Sequence, residues 1–151
     1  MKDAVFGNDK PENHSGYLIW QITNMRQRVL NNALKELALT YPQFIIITGV
    51  QWLNRSSELV NQVKLISYTK MDKSVVSSVL KSLEKRGLVI RKVDPVDTRA
   101  KTLQLSSEGI SQMKKALAVV KGIDDAFFDK SKFDIQHLNS VLNDLIKENQ
   151  Y

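Results

Sequence analysis

The stretch Asp72 to Gly87, DKSVVSSVLKSLEKRG, constrains this chain more than any other. Val76, Val79, Leu80 and Leu83 fall at helical spacing, so they make one apolar stripe that must pack against something. Ser74, Ser77, Ser78 and Lys81 repeat that spacing two positions earlier, on the opposite side of the helix, and Lys85 extends them. Asp72 is a natural N-cap, Lys85 and Arg86 suit the dipole of the last turn, and Gly87 suits a left-handed residue beyond the end. Small hydroxyls followed by lysines fit a helix whose front end enters a DNA major groove, because serine can bond base edges or phosphates and lysine neutralises phosphate. A merely solvated helix face would look the same.

The residues after Gly87 narrow the choice. Leu88–Val93 and Lys101–Leu105 read as two short strands, the second with Leu103 and Leu105 alternating against Thr102 and Gln104. Between them, DPVDTRA carries the Asp94-Pro95 turn signal, which predicts a hairpin with Asp97 and Arg99 at its tip and Arg91, Lys92 and Lys101 on its arms. A helix leading directly into a basic hairpin is a winged helix. An arginine at such a tip can enter a narrow minor groove, with Asp97 placed to orient the Arg99 guanidinium; a solvent-screened surface pair is the competing reading.

In order, Leu83, Glu84, Gly87, Leu88, Val89, Asp97, Arg99, Leu105, Ser106 and Gly109 resemble the core signature of the MarR (multiple antibiotic resistance regulator) family. The likeness covers the recognition helix, the Leu-Glu-x-x-Gly-Leu-Val junction, the Asp-x-Arg wing and the Leu-Ser-x-x-Gly start of the next helix. It implies a mainly α fold with a small β-hairpin wing: a winged helix-turn-helix joined to a helical dimerisation region. It further implies a homodimer on double-stranded DNA, and a small, often aromatic and anionic, effector between the dimer helices and the winged helix. Two positions depart from the family pattern. Lys70 stands in a turn that often contains glycine, and Ser78 occupies a recognition-helix position often filled by arginine.

Charge supports the same location independently. From Arg55 to Lys101 there are eleven Lys or Arg against five acids, a net charge of +6, which equals the net charge of the whole chain. The positive excess therefore sits entirely in the predicted winged helix, where a phosphate-binding surface needs it. The chain has no cysteine, which excludes disulfides, thiolate metal sites and cysteine-based redox sensing. His14 and His137 have no ligand cluster near them in sequence, and neither a phosphate-cradling glycine loop nor a nucleophile with a base is present, so no metal, cofactor or catalysis is expected. The first residues lack an apolar signal core and no apolar run approaches membrane-spanning length, which predicts a cytoplasmic protein.

In chain order, residues 1–14 read as a mobile polar arm. A helix from Ser15 places Leu18, Ile22, Met25, Val29 and Ala33 on one stripe, and Thr40-Tyr41-Pro42 breaks it, with Pro42 suited to start a second helix reaching about Leu53. Phe44 to Ile47 is β-branched enough to resemble a strand, but the apolar run continues through Val50, Trp52 and Leu53, which favours helix. A polar connection over 54–58 leads to a short helix around Asn61–Thr69. After the wing, Ser106 caps a long helix to about Phe128, and Ile135 to Ile146 forms a last amphipathic one.

The terminal helices have apolar faces without an obvious partner in the winged helix. Residues 15–39 and 106–149 are therefore expected to form the dimerisation region, and 40–105 the DNA-binding domain; an intrachain bundle is the competing arrangement. At the DNA, Ser74, Val75, Ser77, Ser78 and Lys81 would face the major groove, Arg99 the minor groove, and Arg91, Lys92 and Lys101 the phosphates, with Lys85 a further DNA-binding cation. Tyr17, Trp20, Arg28, Trp52 and Tyr68 have the chemistry to line a pocket for an organic acid, against the alternative that these aromatics serve packing. A winged-helix module that docks proteins, with no specific DNA binding, is the reading from another functional class.

Overall fold

A computed structural model describes residues 10–55 and 59–149. Residues 1–9 of the expected arm and 56–58 of the expected connection lie outside them; Pro11–Asn13 form a single 3-10 turn. Six helices and one hairpin come in the order α1 (Ser15–Lys35), α2 (Tyr41–Asn54), α3 (Gln62–Thr69), α4 (Lys73–Lys85), β1 (Val89–Val93), β2 (Lys101–Leu105), α5 (Ser107–Phe127) and α6 (Ile135–Glu148). No helix among the described residues is long and apolar enough to cross a membrane.

The helix boundaries have local causes. α1 ends where Ala38 turns left-handed, letting the Leu39 N–H reach back to the Leu34 carbonyl at 3.0 Å. α2 starts in a capping box: the Thr40 hydroxyl accepts from the Gln43 N–H, and the Gln43 side chain accepts from the Thr40 N–H. The expected strand-like run is helical and supplies Phe44, Ile46, Ile47 and Val50 to the core. Asn61 caps α3, and Lys70 ends it at φ +57°, the conformation for which glycine is the unstrained residue. Lys70→Gly is accordingly expected to raise stability by roughly 1 kcal/mol, read as the midpoint of urea unfolding.

One continuous core joins α1 through α5 and the root of the hairpin. Leu30 and Leu34 bring α1 into it, Val76, Leu80 and Leu83 bring α4, and Met113, Ala116 and Val120 bring α5. The stripe expected on α1 behaves differently. Leu18, Ile22, Met25 and Val29 all face outward, because α5 and α2 pack on the side marked by Leu30 and Leu34. α6 has no buried residue at all. Its apolar side, Leu138, Val141, Leu142, Leu145 and Ile146, stays exposed, as expected of a terminal helix without a partner in the winged helix.

β1 and β2 pair antiparallel, with Val89 opposite Leu105 and Val93 opposite Lys101. The expected alternation along β2 breaks at Thr102, which is buried beside Leu103. α2, α3 and α5 all contact β2, so both of its faces are covered, and the Thr102 hydroxyl reaches the Lys92 carbonyl across the ladder. The Leu103 N–H bonds the Val60 carbonyl at 2.7 Å, and the Leu103 carbonyl accepts from the Asn54 side-chain amide at 3.1 Å. Both backbone groups of one residue thus tie the middle of β2 to the rest of the fold.

Candidate nucleic-acid interface

α4 is held by its apolar stripe and leaves the opposite face to solvent. Val76, Leu80 and Leu83 are fully buried, whereas Ser74, Val75, Ser78, Lys81 and Lys85 are exposed and Ser77 is half-buried. Among the described residues, Ser74, Ser77, Ser78 and Lys81 make no side-chain hydrogen bond or ion pair, so their polar groups are available to a ligand. Asp72 occupies the N-cap position, but its carboxylate makes no capping bond. At the other end Gly87 sits at φ +68°, the left-handed residue expected there, and the Leu88 N–H returns to the Leu83 carbonyl at 3.0 Å. The far flank of α4 is anchored on α2: Gln43 bonds Ser82 and Arg86 at 3.1 and 3.3 Å.

The hairpin tip is built from two aspartates. Asp94 Oδ1 accepts the N–H groups of Val96 and Asp97, at 2.8 and 3.1 Å, and Asp97 Oδ1 accepts the Arg99 N–H at 3.0 Å. This differs from the expected role of Asp97. Its carboxylate fixes the backbone under Arg99 rather than the guanidinium, because a side chain this short closes a turn with the N–H two residues on. Arg99, Lys92 and Lys101 are exposed on the same hairpin. Arg91 is not: its Nε donates to Glu84 Oε1 at 2.7 Å, and its Nη2 lies 3.5 Å from Gln62 Oε1.

The five residues considered for an effector pocket do not come together within the protomer. Trp20 is 62% exposed and stacks on Tyr17, Trp52 is covered by Arg55 at 5.8 Å, Tyr68 lies over Gly49, and Arg28 faces solvent. None of them lines the cavity of about 310 Å³ between α1, α2, the end of α5 and α6. Its walls include Ile22, Phe128 and Leu142, and its polar groups are Thr23, Arg26, Gln27 and Tyr41. Arg26 grips Asp124 with two parallel bonds of 2.8 Å and donates a third, also 2.8 Å, to the Tyr41 hydroxyl. The bond to Asp124, opposed by burial and helped by Tyr41, holds this guanidinium above the ordinary arginine range. Nothing in the sequence pairs residues 98 positions apart, and so this joint between α1, α2 and α5 is not legible there. Among the described residues no group of His, Asp or Glu is placed to hold a metal ion.

The profile of the MarR family matches residues 39–100, which run from the end of α1 to the wing tip. Over 91% of its length the chain is 35% identical to the HTH-type transcriptional regulator YdcH of Bacillus subtilis, an uncharacterised protein of which it covers 92%. The chain belongs to the MarR family. MarR proteins are transcriptional regulators, and this fold is theirs. CouR of Rhodococcus jostii, solved bound to p-coumaroyl-CoA, superposes with a TM-score of 0.80 at 23% identity, over 95% of this chain and 99% of that one. A mutant of E. coli MarR complexed with operator DNA gives 0.72 at 20% identity, over 89% and 93%. The MarR architecture, six helices with a two-stranded wing, agrees with the fold expected from sequence.

Proposed function

We propose that this regulator binds a palindromic operator as a homodimer and represses transcription by obstructing polymerase, releasing DNA when an effector binds. Residues 40–105 are its reading head, and 15–39 with 106–149 join the two copies. The observation that carries this reading is the presence of two unengaged surfaces on adjoining elements, the hydroxyl and lysine face of α4 and the Arg99 tip of the wing that follows it. Serines 74, 77 and 78 with Lys81 and Lys85 address the major groove, and Val75 offers methyls to thymine. Arg99 enters the minor groove, and Lys92 and Lys101 neutralise phosphates. A two-fold protein places the two α4 helices about one DNA turn apart.

The exposed apolar faces of α1 and α6 support the homodimer, since a second copy buries both. The cavity beside Arg26 supports an effector site, with apolar walls for a ring and a few polar groups among them. The reading is supported by two proteins of the same fold, CouR with its p-coumaroyl-CoA and the E. coli MarR mutant with its operator DNA. Selecting bound duplexes from a random pool tests the reading directly, because a recovered palindrome reports the half-site spacing. Duplex affinity is expected to fall steeply with salt; weak, salt-insensitive binding would favour the protein-docking module. On the selected site, Arg99→Ala is expected to weaken binding about tenfold, roughly 1.4 kcal/mol, with the fold intact by circular dichroism. Unchanged affinity in a gel-shift titration would remove the wing tip from the interface.

A further inference from the structure

We infer that Arg91 is a positioning residue: it locks the wing to the recognition helix through Glu84, and does not itself bind DNA. This rests on the DNA-binding reading of α4 and the wing. Three elements meet at this guanidinium. Arg91 stands in the middle of β1 opposite Leu103, Glu84 lies in the last turn of α4, and Gln62 begins α3. The Nε–Oε1 distance is 2.7 Å, and both side chains are largely covered, at 29% and 27% exposure. That geometry engages Arg91 Nε with Glu84 and Nη2 with Gln62 inside the protein. The other cations of the hairpin, Lys92, Arg99 and Lys101, project into solvent.

The rest of the hairpin's anchoring explains why such a lock matters. Leu103 pins the middle of β2 through Val60 and Asn54. Among the described residues, the tip's hydrogen bonds are those of its own aspartate turns and the ladder. The Leu103 bonds fix β2 alone, so the hairpin can pivot about that strand unless a second point, on β1 directly across from Leu103, is tied to α4. The Glu84–Arg91 pair is that tie. It sets the separation between the α4 face and Arg99, which must match the distance from major to minor groove. Arginine suits the task because its planar fork reaches two acceptors at once.

The test uses the full-length protein and the selected duplex, or a random-sequence duplex if selection recovers none, titrated over a series of salt concentrations. Glu84→Ala and Arg91→Ala are each expected to weaken binding about fivefold to tenfold, to leave the slope of log affinity against log salt unchanged, and to be no worse together than singly. Exchanging the pair, Glu84→Arg with Arg91→Glu, is expected to restore most of the affinity. A phosphate contact behaves otherwise: Arg91→Ala would flatten the slope by about one, Glu84→Ala would do nothing or tighten binding, and the exchange would not rescue. Either pattern decides the matter. Amide hydrogen exchange without DNA gives a second readout, in which Glu84→Ala should speed exchange in β1 and β2. Unchanged exchange there overturns the lock, whereas faster exchange in a protein that binds no duplex upholds it and rejects the DNA-binding reading instead.

Discussion

Gly109→Ala is expected to destabilise the protein by about 3 kcal/mol, although alanine is the better helix former by about 1 kcal/mol. A Cβ built on Gly109 would lie 2.1 Å from the Leu88 carbonyl oxygen and 3.0 Å from its carbon. The obstacle is backbone and has no rotamer by which to move aside. It is also held in place: the same carbonyl accepts the Ser106 N–H at 3.1 Å, and the Ser106 hydroxyl donates to the Gly87 carbonyl at 2.7 Å while accepting from the Gly109 N–H at 2.9 Å. α5 therefore enters the fold by pressing its first turn onto the junction between α4 and the wing. Adding a methyl group must push that turn away and break the Ser106 bonds. For a chain of this length the melting temperature should fall by about 10 °C. Gly122→Ala, on the same helix with nothing within 4 Å of its Cβ, serves as the control and should gain up to about 1 kcal/mol. Equal melting temperatures for Gly109→Ala and the parent would mean that α5 and Leu88 do not approach so closely.

Gly109 also illustrates what a sequence can and cannot disclose. It is legible as the last member of a Leu-Ser-x-x-Gly motif, but the reason for a glycine there is a carbonyl 21 positions earlier, visible only in three dimensions. Features with local causes are readable. The left-handed Gly87, the Ser106 cap, the Asp-Pro hairpin and the inward stripe of α4 each arise from residues within one or two turns. Features set by a neighbour are not. The periodicity of α1 identifies an apolar stripe at Leu18, Ile22, Met25 and Val29, but nothing in it states that Leu30 and Leu34 meet the core while the stripe looks outward. Likewise the aromatic and cationic types of Trp20, Trp52 and Arg28 fit a pocket, yet the cavity is furnished by Arg26 and Tyr41, with Arg26 also holding Asp124. Residue chemistry names candidates for a site, and only the packing of helices chooses among them.

Leu145→Glu is expected to convert the proposed homodimer into monomers at micromolar concentration and to weaken operator binding by about a hundredfold. In the single protomer this leucine is 49% exposed, and α6 buries nothing, so the fold of residues 10–127 has no stake in it. If a second copy covers α6, each leucine, already about half-covered, gives up roughly 1 kcal/mol of further burial, and two-fold symmetry counts the loss twice. Desolvating two carboxylates adds several kcal/mol more. The sum exceeds the roughly 4 kcal/mol that separates nanomolar from micromolar association. Operator affinity falls because two linked reading heads become independent, which forfeits the effective concentration supplied by the first contact. A 14-residue amphipathic helix is marginal without a surface to pack on, so the monomer should also lose helical signal from α6. Light scattering, circular dichroism and gel shift on one preparation read all three effects. A variant that remains dimeric at nanomolar concentration and binds as the parent does would place the partner surface elsewhere, with α1 as the remaining exposed apolar face.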